Sequence, residues 1–264
     1  MTVHRLRTAN SREDDIVPDL AFGIDIGGSA IKAGRVDLGS GEVQDKLSHV
    51  TTPAPSTPDA VIAAVGRLLD LHGVTRAMPV GLSVPAPVVH GVIPFMANLG
   101  PGWTGVDVPT LVEAHLGHPV VAVNDADAAA LGEVRFGAAK GVAGTVIVTT
   151  LGTGIGSGVV VDGRLVPNIE LGHLEIDSYD AETRASARQK NAENLSWAQW
   201  AARLQRYYSH VEKLFSPDLF VVGGAISEQA DRFLPLLNLR TPIVPAVLRN
   251  RAGVVGAASA ASRA

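Results

Sequence analysis

Apolar and polar positions fall into two successive blocks, each alternating strands with helices. From Leu20 the stretches "LAFGIDIGG", "AIKAGRVDL" and "GEVQDKLSHVTT" read as three strands, the last two separated by a "GSG" turn. After the proline-rich loop "TPAPSTP", Thr57-Pro58-Asp59 predicts a helix start, with a hydroxyl at the N-cap and proline at the first helical position. Residues 58–72 place Val61, Ile62, Val65, Leu68 and Leu69 on one helical face. "MPVGLSV" reads as a buried strand. A helix over 109–116 follows, then a strand in "GHPVVAVND" and a helix in "ADAAALGEVRFG" that stops at Gly137. In the second block, residues 196–215 repeat at Trp197, Trp200, Ala201, Leu204, Tyr208, Val211 and Phe215, a core stripe of which part could serve as a dimer face. "PDLFVVGG" is a strand and residues 252–262 a terminal helix of small side chains. Such alternation predicts an α/β class. Residues 1–17 are polar and read as a mobile tail.

Residues 141–161 carry no charge over 21 positions, long enough to cross a bilayer as a helix. Six of them are glycine and four are threonine, which favours two buried strands joined by a glycine turn. Composition narrows the rest. Net charge is −4, which argues against binding nucleic acid or membrane through bulk charge. The chain has no cysteine, so disulfides and thiolate metal sites are excluded. The N-terminus lacks an apolar signal region, so a cytoplasmic protein is expected.

"GIDIGGS" (23–29) and "LGTGIGSG" (151–158) are both strand–glycine turn–strand units, one in each half of the chain. Glycine lets backbone amides approach an anion with no Cβ in the way. A tight turn explains either one alone; two suggest a cleft in which each half grips one phosphate chain. A third turn, with Gly223 and Gly224 in "VVGGAIS", follows a buried strand and could face the base of a nucleotide. Neither the P-loop nor the dinucleotide fingerprint is present. Asp25 sits inside the first turn, where an acid near phosphates points to Mg²⁺. Asn124-Asp125 lies at a strand's C-terminal edge, where open α/β sheets bind ligands and where helix N-caps are also favoured. Glu170, His173 and Glu175 read either as metal ligands lacking a further partner nearby or as a surface charge cluster.

These motifs, in this order, resemble the ROK family of sugar kinases, within the actin/hexokinase/Hsp70-like superfamily. "NDADAAALGE", "GTGIGSGVVVDGRLVPNIELGHLEI", "DAETRAS" and "VPAVLRNRAGVVGAA" look, more narrowly, like the polyphosphate glucokinases. The resemblance implies an actin/hexokinase-like (RNase H-like) two-lobe fold with central mixed sheets and an interlobe cleft. Its lobes would be 18–124 plus 247–264 (small) and 125–246 (large). It implies phosphoryl transfer from polyphosphate or ATP to the 6-hydroxyl of glucose, with Mg²⁺, in a homodimer. Asp125 would be the general base. Asn98, Asn124, Glu170, His173 and Glu182 would bind the sugar. Gly27, Gly28, Ser29, Lys32, Gly152, Thr153, Gly154, Gly223 and Gly224 would hold the donor, with Asp25 on Mg²⁺.

The same resemblance implies alternatives: an ATP-only hexokinase of other sugar specificity, or a sugar sensor without turnover, which would have no need of Asp125. Typical members bind zinc through a histidine and several cysteines. With no cysteine here, no structural zinc is expected and His173 serves the sugar alone. A long polyanion also needs a basic track. Arg184, Arg188 and Lys190 supply one, with Arg184 and Arg188 at helical i, i+4 spacing, and Lys32 and Arg35 could extend it.

Overall fold

In β1 (Leu20–Ile26) the side chains of Ala21, Phe22, Ile24 and Ile26 are all buried, because this strand is covered on both faces. The computed structural model describes residues 20–96 and 98–262; the predicted tail lies outside the described residues. β2 (Ala30–Asp37) and β3 (Val43–Thr51) continue from β1 as an antiparallel meander. α1 (Pro58–Leu71) starts at its proline as predicted, but the Thr57 hydroxyl makes no capping hydrogen bond. Extended backbone at Thr57 and the preset φ of Pro58 are enough to begin the helix. β4 (Val80–Val84), α2 (Val108–Leu116) and β5 (Val121–Asn124) complete a five-stranded sheet of order β3-β2-β1-β4-β5. Its last two strands run parallel to β1.

α3 (Asp125–Phe136) leads into the second sheet. β6 (Thr145–Leu151), β7 (Ile155–Val161) and β8 (Arg164–Val166) form its antiparallel half, and residues 141–161 are thus two strands and a turn. A small hairpin, β9 (Glu175–Ile176) and β10 (Tyr179–Asp180), precedes two short helices, α4 (Glu182–Ala185) and α5 (Ala187–Ala192). Then come α6 (Trp197–Phe215), β11 (Leu219–Gly223), β12 (Ile243–Pro245) and α7 (Ala252–Ala261). The second order is β12-β11-β6-β7-β8, with β11 parallel to both β6 and β12. Among the described residues, no helix is long and apolar enough to cross a membrane. The α6 stripe is core: Trp200, Leu204, Tyr208 and Val211 are fully buried, whereas Leu214 and Phe215 at its end are exposed.

The small side chains of α7 have a packing cause. A Cβ at Gly23 or Gly81 would overlap the carbonyl of Val254 or Ala257, so β1 and β4 touch α7 backbone to backbone. On its other side, a Cβ at Gly256 would overlap the carbonyl of Ala128 in α3. α3 and α7 therefore form a tightly packed axis between the two sheets. It fixes where their N-termini point: α3 begins at Asp125, and Gly253 in the first turn of α7 abuts the Asp25 carboxylate.

Candidate active site

Both glycine turns line one cleft of about 740 Å³, Gly27, Gly28 and Ser29 from the β1–β2 turn and Gly152, Thr153 and Gly154 from the β6–β7 turn. Asn98, Asn124, Asp125, Glu170, His173, Glu182 and Arg188 share it. Each turn is braced. The Thr52 hydroxyl donates to the Gly27 carbonyl (2.6 Å), and the Gly152 carbonyl accepts from the Arg188 amide (3.0 Å). A second recess of about 220 Å³, lined by Asp25, Lys32 and Gly223, shares Asp125, Thr150 and Gly224 with the cleft. Thr150, which no sequence signal singled out, lines both.

Asp125 stands half-buried at the start of α3. Its carboxyl is pushed up to about 7, chiefly by burial and by the charge of Asp25, with Glu170 and Asp127 adding to the rise. A hydrogen bond from the Ala126 amide (2.8 Å) opposes this. Asn124 serves as N-cap: its Oδ1 accepts from the amides of Ala126 (2.8 Å) and Asp127 (3.0 Å), which leaves its Nδ2 for other partners. Asp25 accepts from Ser83 Oγ (2.9 Å) and has Lys32 Nζ at 3.5 Å.

On the opposite wall, burial raises the Glu170 carboxyl, with Glu182 adding and His173 opposing. His173 Nδ1 hydrogen-bonds Asp180 Oδ2 (2.8 Å), and this bond chiefly raises the imidazole. Glu182 Oε2 accepts from the Ile155 amide (3.0 Å), so it also braces the second glycine turn. Asp180 is the partner that the sequence reading lacked. His173, Asp180 and Glu182 offer ligand atoms all within 4.8 Å of one another. They do not fit a structural zinc, which takes four closed N/S-rich ligands. Asp180 is committed to His173 and to the Glu182 amide, and Glu182 to Ile155. Protein purified without chelator is therefore expected to carry less than ~0.1 zinc per chain. His173→Ala should weaken glucose binding about 10-fold. Stoichiometric zinc that disappears in His173→Ala would contradict this.

The basic track is not assembled as predicted. The chain is extended at Ser186 (φ −65°, ψ 159°), which ends α4 and starts α5, so Arg184 and Arg188 occupy different helices and lose their i, i+4 relation. Arg188 lines the cleft. Arg184 instead lies 3.8 Å over the Tyr179 ring and lines a separate groove with Arg203 and Arg206, and Lys190 lies 4.1 Å over Trp197. Arg35 donates to the His72 carbonyl rather than extending the track.

The ROK family profile matches residues 21–186, more than half of the chain. The chain belongs to the ROK family. Within this family it is 44% identical over 240 residues to the polyphosphate glucokinase of Mycobacterium tuberculosis (strain H37Rv), covering 90% of each chain. Among solved ROK-like structures it is similar to the inorganic polyphosphate/ATP-glucomannokinase of Arthrobacter sp. strain KM. There the TM-score is 0.87 at 53% identity, over 91% of this chain and 97% of the other. The ROK glucokinase of Streptomyces griseus, solved with glucose and AMPPNP, gives a TM-score of 0.79 at 26% identity, over 93% and 100%. These matches bear out the actin/hexokinase-like fold.

Proposed function

We propose that this chain transfers the terminal phosphoryl group of inorganic polyphosphate or ATP to the 6-hydroxyl of glucose, giving glucose 6-phosphate, with Asp125 as general base. The observation that carries this is a carboxylate tuned to about 7 at the meeting point of two glycine turns from opposite sheets. Its neutral-pH basicity suits it to take the hydroxyl proton as the oxygen attacks phosphorus. The glycine-turn amides hold the donor phosphates, while Asn98, Asn124 Nδ2, Glu170, His173 and the second oxygen of Glu182 orient the sugar. Relatives named for polyphosphate and glucose support the substrate assignment.

Mg²⁺ is bound through one or two carboxylates plus substrate phosphates and keeps several waters. Asp25 fits that demand, since its Oδ2 has only a long contact to Lys32. When bound, the ion neutralises phosphate charge. The lobes we propose to close on the substrates are 18–124 with 247–264, and 125–246. The proposal includes action in the cytoplasm as a homodimer. The buried face of α6 is spent on the core, so its exposed end, Leu214 and Phe215, is what remains for a partner copy. Sedimentation at a monomer mass would contradict the dimer.

The donor assignment has its own test. Polyanion affinity carried by several cations falls steeply with salt, whereas a nucleotide bound mostly through backbone amides is less sensitive. KM for polyphosphate is expected to rise ~10-fold or more between 50 and 200 mM salt, and KM for ATP less than ~3-fold. Because Arg188 alone of the three faces the cleft, Arg188→Ala should raise the polyphosphate KM and flatten its salt slope. Arg184→Ala should leave both near wild type. If polyphosphate supports no turnover while ATP does, the donor assignment fails and an ATP-dependent glucokinase remains.

A further inference from the structure

Two residues beyond Asp125, α3 carries a second buried carboxylate that the chemistry above does not use. Asp127 is only 2% exposed. Its Oδ2 accepts from the Asn168 amide (2.8 Å), and its Oδ1 is buried without a hydrogen-bond partner. An acid in such surroundings costs stability unless its one bond secures something. What it secures is Asn168, held at φ 60° in the left-handed region. The Asn168 side chain then makes two bonds to a single residue of the first lobe's wall. Its Oδ1 accepts from the Val88 amide (2.8 Å) and its Nδ2 donates to the Val88 carbonyl (2.9 Å).

Both ends of this tie continue into the cleft. Pro85, Ala86 and Pro87, immediately before Val88, line it. Glu170 and His173 follow Asn168 on the other wall. That segment is also gripped by Ser157, whose Oγ donates to the Ile169 carbonyl (2.6 Å) and accepts from the Leu171 amide (2.8 Å). Asp127 thus links the helix bearing Asp125 to both walls on the side where Glu170 and His173 stand.

We propose that Asp127 is a positioning residue which, through Asn168, locks the 85–88 wall and the Glu170-bearing segment into one sugar-binding arrangement. The inference rests on the glucokinase reading for its substrate and on the bonding alone for its mechanical part. Asp127 touches no reacting atom, so its loss should act on sugar affinity rather than on the chemical step.

Three variants separate the possibilities. Asp127→Ala removes the acceptor, and KM for glucose is expected to rise ~10-fold or more with kcat changed less than ~3-fold. Asp127→Asn keeps an oxygen for the Asn168 amide and should restore KM to within ~3-fold of wild type. Asn168→Gly tolerates the positive φ but severs only the Val88 bonds, so KM should rise again. Hydrogen exchange reads the tie without any turnover: Asp127→Ala should speed exchange in both 85–90 and 166–172, and Asn168→Gly in 85–90 alone. Unchanged KM and unchanged local exchange in Asn168→Gly would overturn the inference, even if Asp127→Ala fails to fold. A fall in kcat at constant KM in Asp127→Ala would overturn it too, as would a uniform rise in exchange across the chain. A wild-type protein that phosphorylates no glucose would sink the glucokinase reading, and the exchange pattern would still decide the tie.

Discussion

Asp125→Asn is expected to lower kcat by at least about 10²–10⁴-fold while glucose still binds. The amide keeps the shape of the carboxylate and its hydrogen bond from the Ala126 amide, but it cannot take the hydroxyl proton. Because the acid is half-protonated near pH 7, wild-type kcat/KM should fall as pH drops through about 7, since only the ionised form is a base. Stability should move in the opposite sense. A carboxyl raised by burial binds its proton more tightly when folded, so it favours the fold at low pH. That contribution is lost as pH rises through about 7. Asp125→Asn, which has no charge to bury, should therefore melt higher than wild type at pH 8, with the difference vanishing near pH 4. Near-normal kcat in this variant, or a flat pH profile from 5 to 8, would remove Asp125 from the base role.

Gly256→Ala is expected to cost about 3 kcal/mol or more of unfolding free energy, lowering the melting temperature by roughly 10 °C. On an exposed helix the same change would stabilise, by up to about 1 kcal/mol, through helix propensity. Here the added methyl would run into the Ala128 carbonyl, which is backbone and cannot rotate away. α7 cannot retreat either, because its opposite face rests on the backbone of Gly23 and Gly81. Separating α3 from α7 would also shift Asp125 against Asp25, so activity should fall further than the unfolded fraction explains. Thermal and urea unfolding of the purified variant test this, and a melting temperature within ~2 °C of wild type would show the helix contact to be softer than the geometry requires.

Local signals in the sequence carried most of the fold. Strong periodicity places α1 and α6 to within a residue or two, and the glycine turns and the Asn124-Asp125 pair stand where they were expected. The failures share a cause. Asp180 pairs with His173 through a hairpin whose strands are two residues each, too short to show as a pattern. Asp127 meets Asn168 across 41 positions, a contact that only the packed fold creates. The break at Ser186 undid the Arg184–Arg188 spacing, because the α5 backbone is tied to the Gly152 carbonyl rather than continuing α4. Seven residues of plausible helix composition gave no sign of it. β12, three residues long, is a strand only because β11 lies beside it.

The most direct measurement is phosphorus NMR of the product formed from glucose, Mg²⁺ and either polyphosphate or ATP by the purified chain. Phosphate on the 6-oxygen is coupled to the two protons of carbon 6, so a phosphomonoester triplet is the expected result, lost in Asp125→Asn. No phosphomonoester with either donor, or a doublet from a ring carbon bearing one proton, would contradict phosphoryl transfer to the 6-hydroxyl of glucose.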